Sequence, residues 1–354
     1  MFPGTSSDIL PLHVYAAIQR GHATEELFKG IKKYVFHPYR SKHKWPSTDV
    51  WHHKSISLYH YPSKNTGGVK SRIFLVPSLI NGAEIFDLIP EYSFIDFLNR
   101  QGVDVYLLNW GNIALSSDYS LQTLIDETLE KSYVAACDHA QHNLHIMGHC
   151  LGGSILLSGL KKIARIQAPL SLTLLATPLD FHTSDAPWHR YIPHLERIKK
   201  IIQANGKLSQ TMMQSFFGQI SPRAVIEKYV DFLDWGEDSL KSRLFVKVED
   251  WLNNGEDLPP LLAVEIFDTF FIQNNKPQLP SCPTLIVTSE NDLVVPASSA
   301  APQIYIQNKK NVQIKYTTSG HLGMMASVNA RQDIWAPIST HILSVENNTA
   351  AQQH

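Results

Sequence analysis

Residues 148–153 read Gly148-His149-Cys150-Leu151-Gly152-Gly153. A short apolar run, Leu144-His145-Ile146-Met147, leads into them, and a helical stretch, Ser154 to Ile163, follows. A strand that turns sharply into a helix around a nucleophile needs glycines where a Cβ would clash, and this spacing supplies them. The turn lifts the central side chain clear of the sheet. It also aims that side chain at a helix N-terminus, whose free N–H groups and dipole favour a thiolate. The pattern predicts a nucleophile elbow with Cys150 as the nucleophile.

The flanking sequence supplies a sheet for such an elbow. Ser55 to Tyr61 alternates like a strand, Ile73-Phe74-Leu75-Val76 is a short apolar strand, and Val103 to Asn109 and Ser171 to Ala176 are further ones. Between them Phe86 to Arg100 and Leu121 to His139 carry helical periodicity. Strands alternating with helices imply βαβ units, a mostly parallel sheet and a three-layer α/β domain. The rhythm breaks after Thr177-Pro178 and returns at Thr284-Leu285-Ile286-Val287 and Val312 to Tyr316. The predicted organisation is an N-terminal helical segment over 1–54, a core over 55–177 and 276–345, a helix-rich cap inserted over 178–275, and a disordered polar tail over 346–354.

In an α/β-hydrolase fold the catalytic groups follow the chain order nucleophile, acid, histidine, on loops at the C-terminal edge of the sheet. Cys150, Asp292 and His321 occur in that order, and each follows an apolar strand. His321 is expected to take the thiol proton, and Asp292 to orient His321 through its other ring nitrogen. The Leu151 N–H and an N–H from the loop Ser78-Leu79-Ile80-Asn81-Gly82, assigned to Ile80, are expected to form the oxyanion hole. Taken singly, each piece has a plainer explanation. A buried cysteine is usually an inert small hydrophobe, and an Asp before Leu-Val-Val-Pro can cap a turn. Glu290 is the nearest rival to Asp292, and His149 is adjacent to the nucleophile but is directed elsewhere by its place on the elbow.

Composition narrows the function further. The 354 residues are 44% hydrophobic and 18% charged, with a formal net charge of −1 and no long basic run, which argues against a nucleic-acid partner. The 17 histidines are scattered and lack ligands at a metal spacing, so no metal site is predicted. Three cysteines (Cys137, Cys150, Cys282) form no disulfide framework and fit a reducing compartment. The N-terminus lacks a basic stretch followed by an apolar one, and no apolar run reaches the ~18–20 residues that span a bilayer. A cytoplasmic location is expected.

A thiol attacking a thioester forms another thioester, so loading an activated acyl group on Cys150 is nearly energy-neutral. Cysteine suits an enzyme that holds such a group and passes it on. The surrounding motifs agree. Beyond the elbow, Val76-Pro77-Ser78-Leu79-Ile80-Asn81, Asp87-Leu88-Ile89-Pro90 with Ser93, Leu107-Leu108-Asn109-Trp110-Gly111 and Ala176-Thr177-Pro178-Leu179-Asp180-Phe181 resemble segments of the polyhydroxyalkanoate synthase family. So do Asp292-Leu293-Val294-Val295-Pro296 and Gly320-His321-Leu322-Gly323. Chain length and residues 248–275 are most similar to the class III type, in which a short catalytic subunit works with a second subunit.

The resemblance implies polymerisation of (R)-3-hydroxyacyl-CoA with release of CoA and no cofactor. Cys150 would carry the growing polyester chain, His321 would activate the thiol, and Asp292 would assist the acceptor hydroxyl. It further implies a second synthase subunit, a homodimer or hetero-oligomer, and association with a granule surface. Asn81, His149 and Trp110, which flank the motifs, are expected to contact substrate. Some positions depart from the family's pattern: Asn109 stands where Asp is common, and His149 replaces a tyrosine or isoleucine.

Two alternatives stay open from sequence. One is a thiol hydrolase of the thioesterase or dienelactone-hydrolase kind, with water as acceptor. The other is a non-enzymatic scaffolding homologue, which the intact Cys150/Asp292/His321 set disfavours. The cap aromatics (Trp188, Tyr191, Phe216, Phe217, Tyr229, Phe232, Trp235, Phe245, Trp251) are expected to cover the site and exclude water, or to form the cap's own core.

Overall fold

The computed structural model describes residues 24–38, 46–115, 119–220, 222–274, 277–306 and 309–351. Among them, eight strands form one sheet: β1 (Thr48–His53), β2 (Ile56–Tyr61), β3 (Ser71–Val76), β4 (Val103–Asn109), β5 (His145–His149), β6 (Leu172–Leu175), β7 (Thr284–Ser289) and β8 (Val312–Thr317). The spatial order is β1-β2-β4-β3-β5-β6-β7-β8. β1, β2 and β4 pair antiparallel, and every pair from β4/β3 to β7/β8 is parallel. The inner strands β5, β6 and β7 are buried along their whole length, as expected where helices cover both faces. The edge strand β8 instead alternates half-buried and exposed residues.

The helices sort onto the two faces by their apolar sides. On one face lie the helix over residues 121–140, whose middle (Leu124–Glu130) is wound as a π-helix, and the helix Leu151–Ile166; they bury Leu129, Tyr133, Ile155 and Leu156. On the other lie Phe94–Gln101 and the C-terminal helix Ala336–Ala351, burying Phe94, Leu98, Ile338 and Ile342. Between β6 and β7 the chain is helical, with Leu195–Asn205, Gln210–Gly218, Pro222–Leu233, Leu240–Asn253 and Pro260–Ile266 arranged above the sheet's C-terminal edge. An N-terminal helix, Thr24–Val35, buries Leu27, Ile31 and Tyr34 against Tyr229, Phe232 and Val246 of these cap helices. Lys33 Nζ fastens the junction by donating to the carbonyls of Phe232 and Leu233, at 2.7 and 3.1 Å, at the end of Pro222–Leu233.

Three sequence expectations are corrected. The sheet starts earlier than residue 55: β1 lies within the segment assigned to the N-terminal helices and pairs Trp51 with Leu58 through a turn at Lys54, whose φ is +55°. As a polar edge strand, it gives little periodic signal. Phe86 to Arg100 is not one helix. A 3₁₀ turn (Ala83–Phe86) precedes an irregular stretch through Pro90, and the helix starts at Phe94, where Ser93 accepts from Asp96 N–H as its N-cap. The polar tail is helical through Ala351 rather than disordered, because Glu346 reaches back to accept from Ser71 Oγ and to meet His145 Nε2, both at 3.0 Å. The part of the N-terminal segment over 1–23, and residues 352–354, lie outside the described residues.

Candidate active site

β5 ends at His149, and the helix Leu151–Ile166 starts immediately after Cys150. Cys150 sits between them at φ +53°, ψ −132°, backbone that non-glycine residues rarely adopt. Its N–H donates to Leu175 O of β6 at 2.9 Å, which ties the strained residue to the sheet. The surrounding glycines are dictated by contact. A Cβ on Gly148 would stand 2.3 Å from Gly153 Cα, and one on Gly152 would stand 2.0 Å from Pro77 O. The elbow can pack under the β3 loop only if these positions carry no side chain.

Asp292 follows β7 and His321 follows β8, so both loops end at the same edge of the sheet as Cys150. Asp292 Oδ2 lies 2.7 Å from His321 Nδ1, while its Oδ1 accepts from the N–H groups of Val294 and Val295, both at 2.8 Å. The Cys150 sulfur is near enough to His321 to act on its charge. Burial alone would lower the His321 pKa, but the Asp292 carboxylate and the Cys150 sulfur outweigh it and hold the pKa well above the ordinary histidine value. The protonated ring is therefore favoured. Both Asp292 oxygens are engaged, one with His321 and the other with the Val294 and Val295 N–H groups.

Leu151 is the first residue of its helix, where N–H groups have no intrahelical acceptor. Ile80 lines the same cavity as Cys150. Its N–H rests on Ser78 Oγ at 3.3 Å, a long neutral bond that an oxyanion would outcompete. Leu151 and Ile80, the residues expected to supply the oxyanion donors, thus line the same cavity as Cys150.

The three residues expected to contact substrate do not line the cavity. Asn81 is buried, and its amide donates to the carbonyls of Trp251 and Leu252, stitching the β3 loop to the cap. Trp110 is buried with its indole N–H on Pro77 O at 3.1 Å; an indole in a core must find an acceptor, and this one braces the loop that carries Ile80. His149 lies behind His321 rather than beside the substrate space.

Above Cys150 is a cavity of about 490 Å³. Its floor is Cys150, Leu151 and Ile80, and its roof is almost wholly apolar cap side chains. The cap aromatics split into two groups. Trp188, Tyr191, Phe216 and Phe217 line the cavity, whereas Tyr229, Phe232, Trp235 and Phe245 pack around the N-terminal helix. Trp251 donates its indole N–H to Gly82 O at 2.7 Å and joins cap to core. Sequence reasoning did not single out the aliphatic roof, such as Ile198, Met212 and Met213. Its only signal there is helical amphipathicity, which a cavity wall shares with an ordinary core.

Sheet order, elbow and convergent loops define an α/β-hydrolase-fold protein with a cysteine at the nucleophile position. The monoglyceride lipase of Saccharomyces cerevisiae shares that fold, with a TM-score of 0.57 at 12% identity, covering 87% of this chain and 99% of that one. No protein-family model matches the chain. It is 24% identical over 318 residues to the poly(3-hydroxyalkanoate) polymerase subunit PhaC of Haloferax mediterranei, covering 84% of this chain and 63% of that protein. It is also 24% identical over 318 residues to the subunit of the same name from Allochromatium vinosum, covering 82% and 86%. The chain is thus a relative of the poly(3-hydroxyalkanoate) polymerases, and it spans under two thirds of the haloarchaeal relative's length.

Proposed function

We propose that this chain polymerises (R)-3-hydroxyacyl-CoA into a polyester, as a catalytic subunit of the class III type. One observation carries the proposal: the nucleophile paired with His321 and Asp292 is a thiol beneath an apolar roof. A thiol keeps the acyl group activated, and a dry site protects it from hydrolysis.

The Cys150 thiolate attacks the thioester carbonyl of the substrate. The resulting oxyanion is held by the N–H groups of Leu151 and Ile80. The carbon–sulfur bond to CoA breaks, and the departing thiolate takes the proton from His321. The hydroxyl of another hydroxyacyl-CoA then gives its proton to His321 and attacks the Cys150 thioester. An ester forms, and the Cys150 thiolate leaves beside the newly protonated His321. The extended acyl-CoA can then load Cys150 again. Asp292 orients His321 throughout, and no cofactor takes part because the CoA thioester supplies the activation.

The relatives' designation as polymerase subunits supports a second synthase subunit and a hetero-oligomer, with a homodimer as the simpler assembly. Among the described residues no helix is long and apolar enough to cross a membrane. That is compatible with a cytoplasmic protein at a granule surface, and the near-neutral charge with the absence of a nucleic-acid partner. Incubation with (R)-3-hydroxybutyryl-CoA and (R)-3-hydroxyoctanoyl-CoA tests the activity. CoA release with insoluble polyester is expected; release yielding only free hydroxy acid would make water the acceptor and the protein a hydrolase.

A further inference from the structure

The loop that carries Ile80 is anchored at both ends and more loosely held between them. At its start the Pro77 carbonyl accepts from the Trp110 indole N–H at 3.1 Å. At its far end the anchor comes from the cap. The Asn81 amide donates to Trp251 O at 3.2 Å and to Leu252 O at 3.4 Å, and the Trp251 indole N–H donates to Gly82 O at 2.7 Å. Trp251 thus grips the two residues after Ile80 in both directions, accepting through its backbone and donating through its side chain. Between the anchors, the Ile80 N–H makes its long 3.3 Å bond to Ser78 Oγ.

The grip follows from where Trp251 sits. It lies in the last turn of Leu240–Asn253, where carbonyls are left without the usual helical N–H and carry the negative end of the helix dipole. Side-chain amides satisfy them. Leu252 O also accepts from Gln210 Nε2 at 2.9 Å and from Gln214 Nε2 at 2.8 Å, which fixes this helix end to the cap helix Gln210–Gly218. The turn that follows comes down on the Ile80 peptide itself: a Cβ on Gly255 would stand 3.1 Å from Ile80 O and 2.9 Å from Asn81 Nδ2. Asn81 and Trp251 are both buried, so bulk water does not compete for these bonds.

We propose that Trp251 is a positioning residue for the oxyanion hole, an inference that rests on the acyl-transfer role set out above with Ile80 N–H as a donor. Acting through Asn81 and Gly82, Trp251 holds that N–H where charge develops as the Cys150 thiolate attacks a carbonyl. An oxyanion donor works at roughly 2.7–3.1 Å from the charge it meets, and a displacement of about 1 Å at a reacting centre can cost ~10²-fold. Alkylation of the thiolate by a haloacetamide builds no oxyanion. Trp251 should therefore govern acylation of Cys150 and leave its alkylation alone.

Trp251→Phe keeps an aromatic ring in place and removes the indole N–H. Two first-turnover rates are compared on the full chain. One is acylation of Cys150, read by CoA release from (R)-3-hydroxybutyryl-CoA and by p-nitrophenol release from p-nitrophenyl butyrate. The other is alkylation by iodoacetamide, read on the peptide that contains Cys150. The variant should acylate ~10–100-fold more slowly and alkylate within about twofold of the wild type. Unchanged acylation, or acylation and alkylation slowed together, overturns the inference and leaves the contact as cap-to-core packing. If the wild type releases p-nitrophenol but no CoA, the polyester role fails while the ester rates still decide the inference; if neither probe acylates Cys150, both fail. Where Trp251→Phe does not fold, Asn81→Ala, which removes the reciprocal amide, is judged by the same pair of rates. Failure of both variants to fold overturns the positioning role.

Discussion

The ring of His149 lies nearly parallel to that of His321, with 6.1 Å between centroids and 25° between planes. Phe86 meets His149 edge-on from another side at 5.6 Å. Burial, reinforced by the charge of His321, pushes the His149 pKa down to about 3, so this ring is neutral around pH 7. It acts as a shelf that fixes the plane of His321 and leaves proton transfer to its neighbour. His149→Phe keeps that shelf and should retain kcat/KM within about tenfold, with an unchanged pH profile. His149→Ala opens a void and should cost about 3 kcal/mol in urea unfolding. A His149→Phe variant as inactive as His321→Ala would make His149 a proton carrier.

Asp292→Asn preserves the size of the side chain and its acceptance from Val294 and Val295. It replaces the charge facing His321 Nδ1 with an amide that favours the wrong tautomer. The loss in kcat should be ~10²–10⁴-fold. Burial is then less opposed and the His321 pKa falls, which weakens the cation beside Cys150. Iodoacetamide alkylation of Cys150 at pH 7 should slow by ~10-fold or more in the variant. Equal alkylation rates would mean that Asp292 does not set the charge of the pair.

Acid stability follows from a histidine at the far end of the fold. His341, on the C-terminal helix, is buried, its Nε2 has no hydrogen-bond partner, and burial with nearby His145 lowers its pKa from 6.5 to about 4. Between those values the unfolded chain binds a proton that the folded chain refuses, so stability falls as pH drops from 6.5 through 4. The full loss is about 3 kcal/mol. His341→Leu should flatten the dependence of urea unfolding free energy on pH across that window, with little change at pH 7.5. A slope equal to that of the wild type would remove His341 as its source.

The packing of the elbow can be tested by second-site rescue. A Cβ on Gly153 would stand 2.1 Å from Thr177 Oγ1 and 2.6 Å from its Cγ2. Gly153→Ala should cost about 1–3 kcal/mol, and adding Thr177→Ala should recover part of that loss, a coupling measurable in a double-mutant cycle. Strict additivity of the two changes would place the strain elsewhere.

The parts of the fold legible in the sequence are those where one local rule dominates. The apolar runs of β3 to β7 and the glycines around Cys150 have single structural solutions, and Asp292 and His321 stand directly after strands. What stayed hidden depends on partners remote in sequence. Asn81 and Trp110 stand beside strand ends, as ligand contacts often do, yet their polar groups are consumed by Trp251, Leu252 and Pro77 carbonyls. The polarity of the tail suggested disorder because nothing local announces that Glu346 will meet His145 and Ser71. The roof was illegible for a related reason: an apolar helix face reads the same whether it meets a core or a cavity.

The central claim is that Cys150 carries the growing chain. It is tested most directly by brief exposure to an (R)-3-hydroxyacyl-CoA, acid quench, and mass measurement of the peptide containing Cys150. The expected result is a ladder of adducts on that peptide, spaced by the mass of one hydroxyacyl unit and released by hydroxylamine, with no ladder and little turnover in Cys150→Ser. A single acyl adduct that decays only to free hydroxy acid, or near-normal polymer formation by Cys150→Ser, would contradict it.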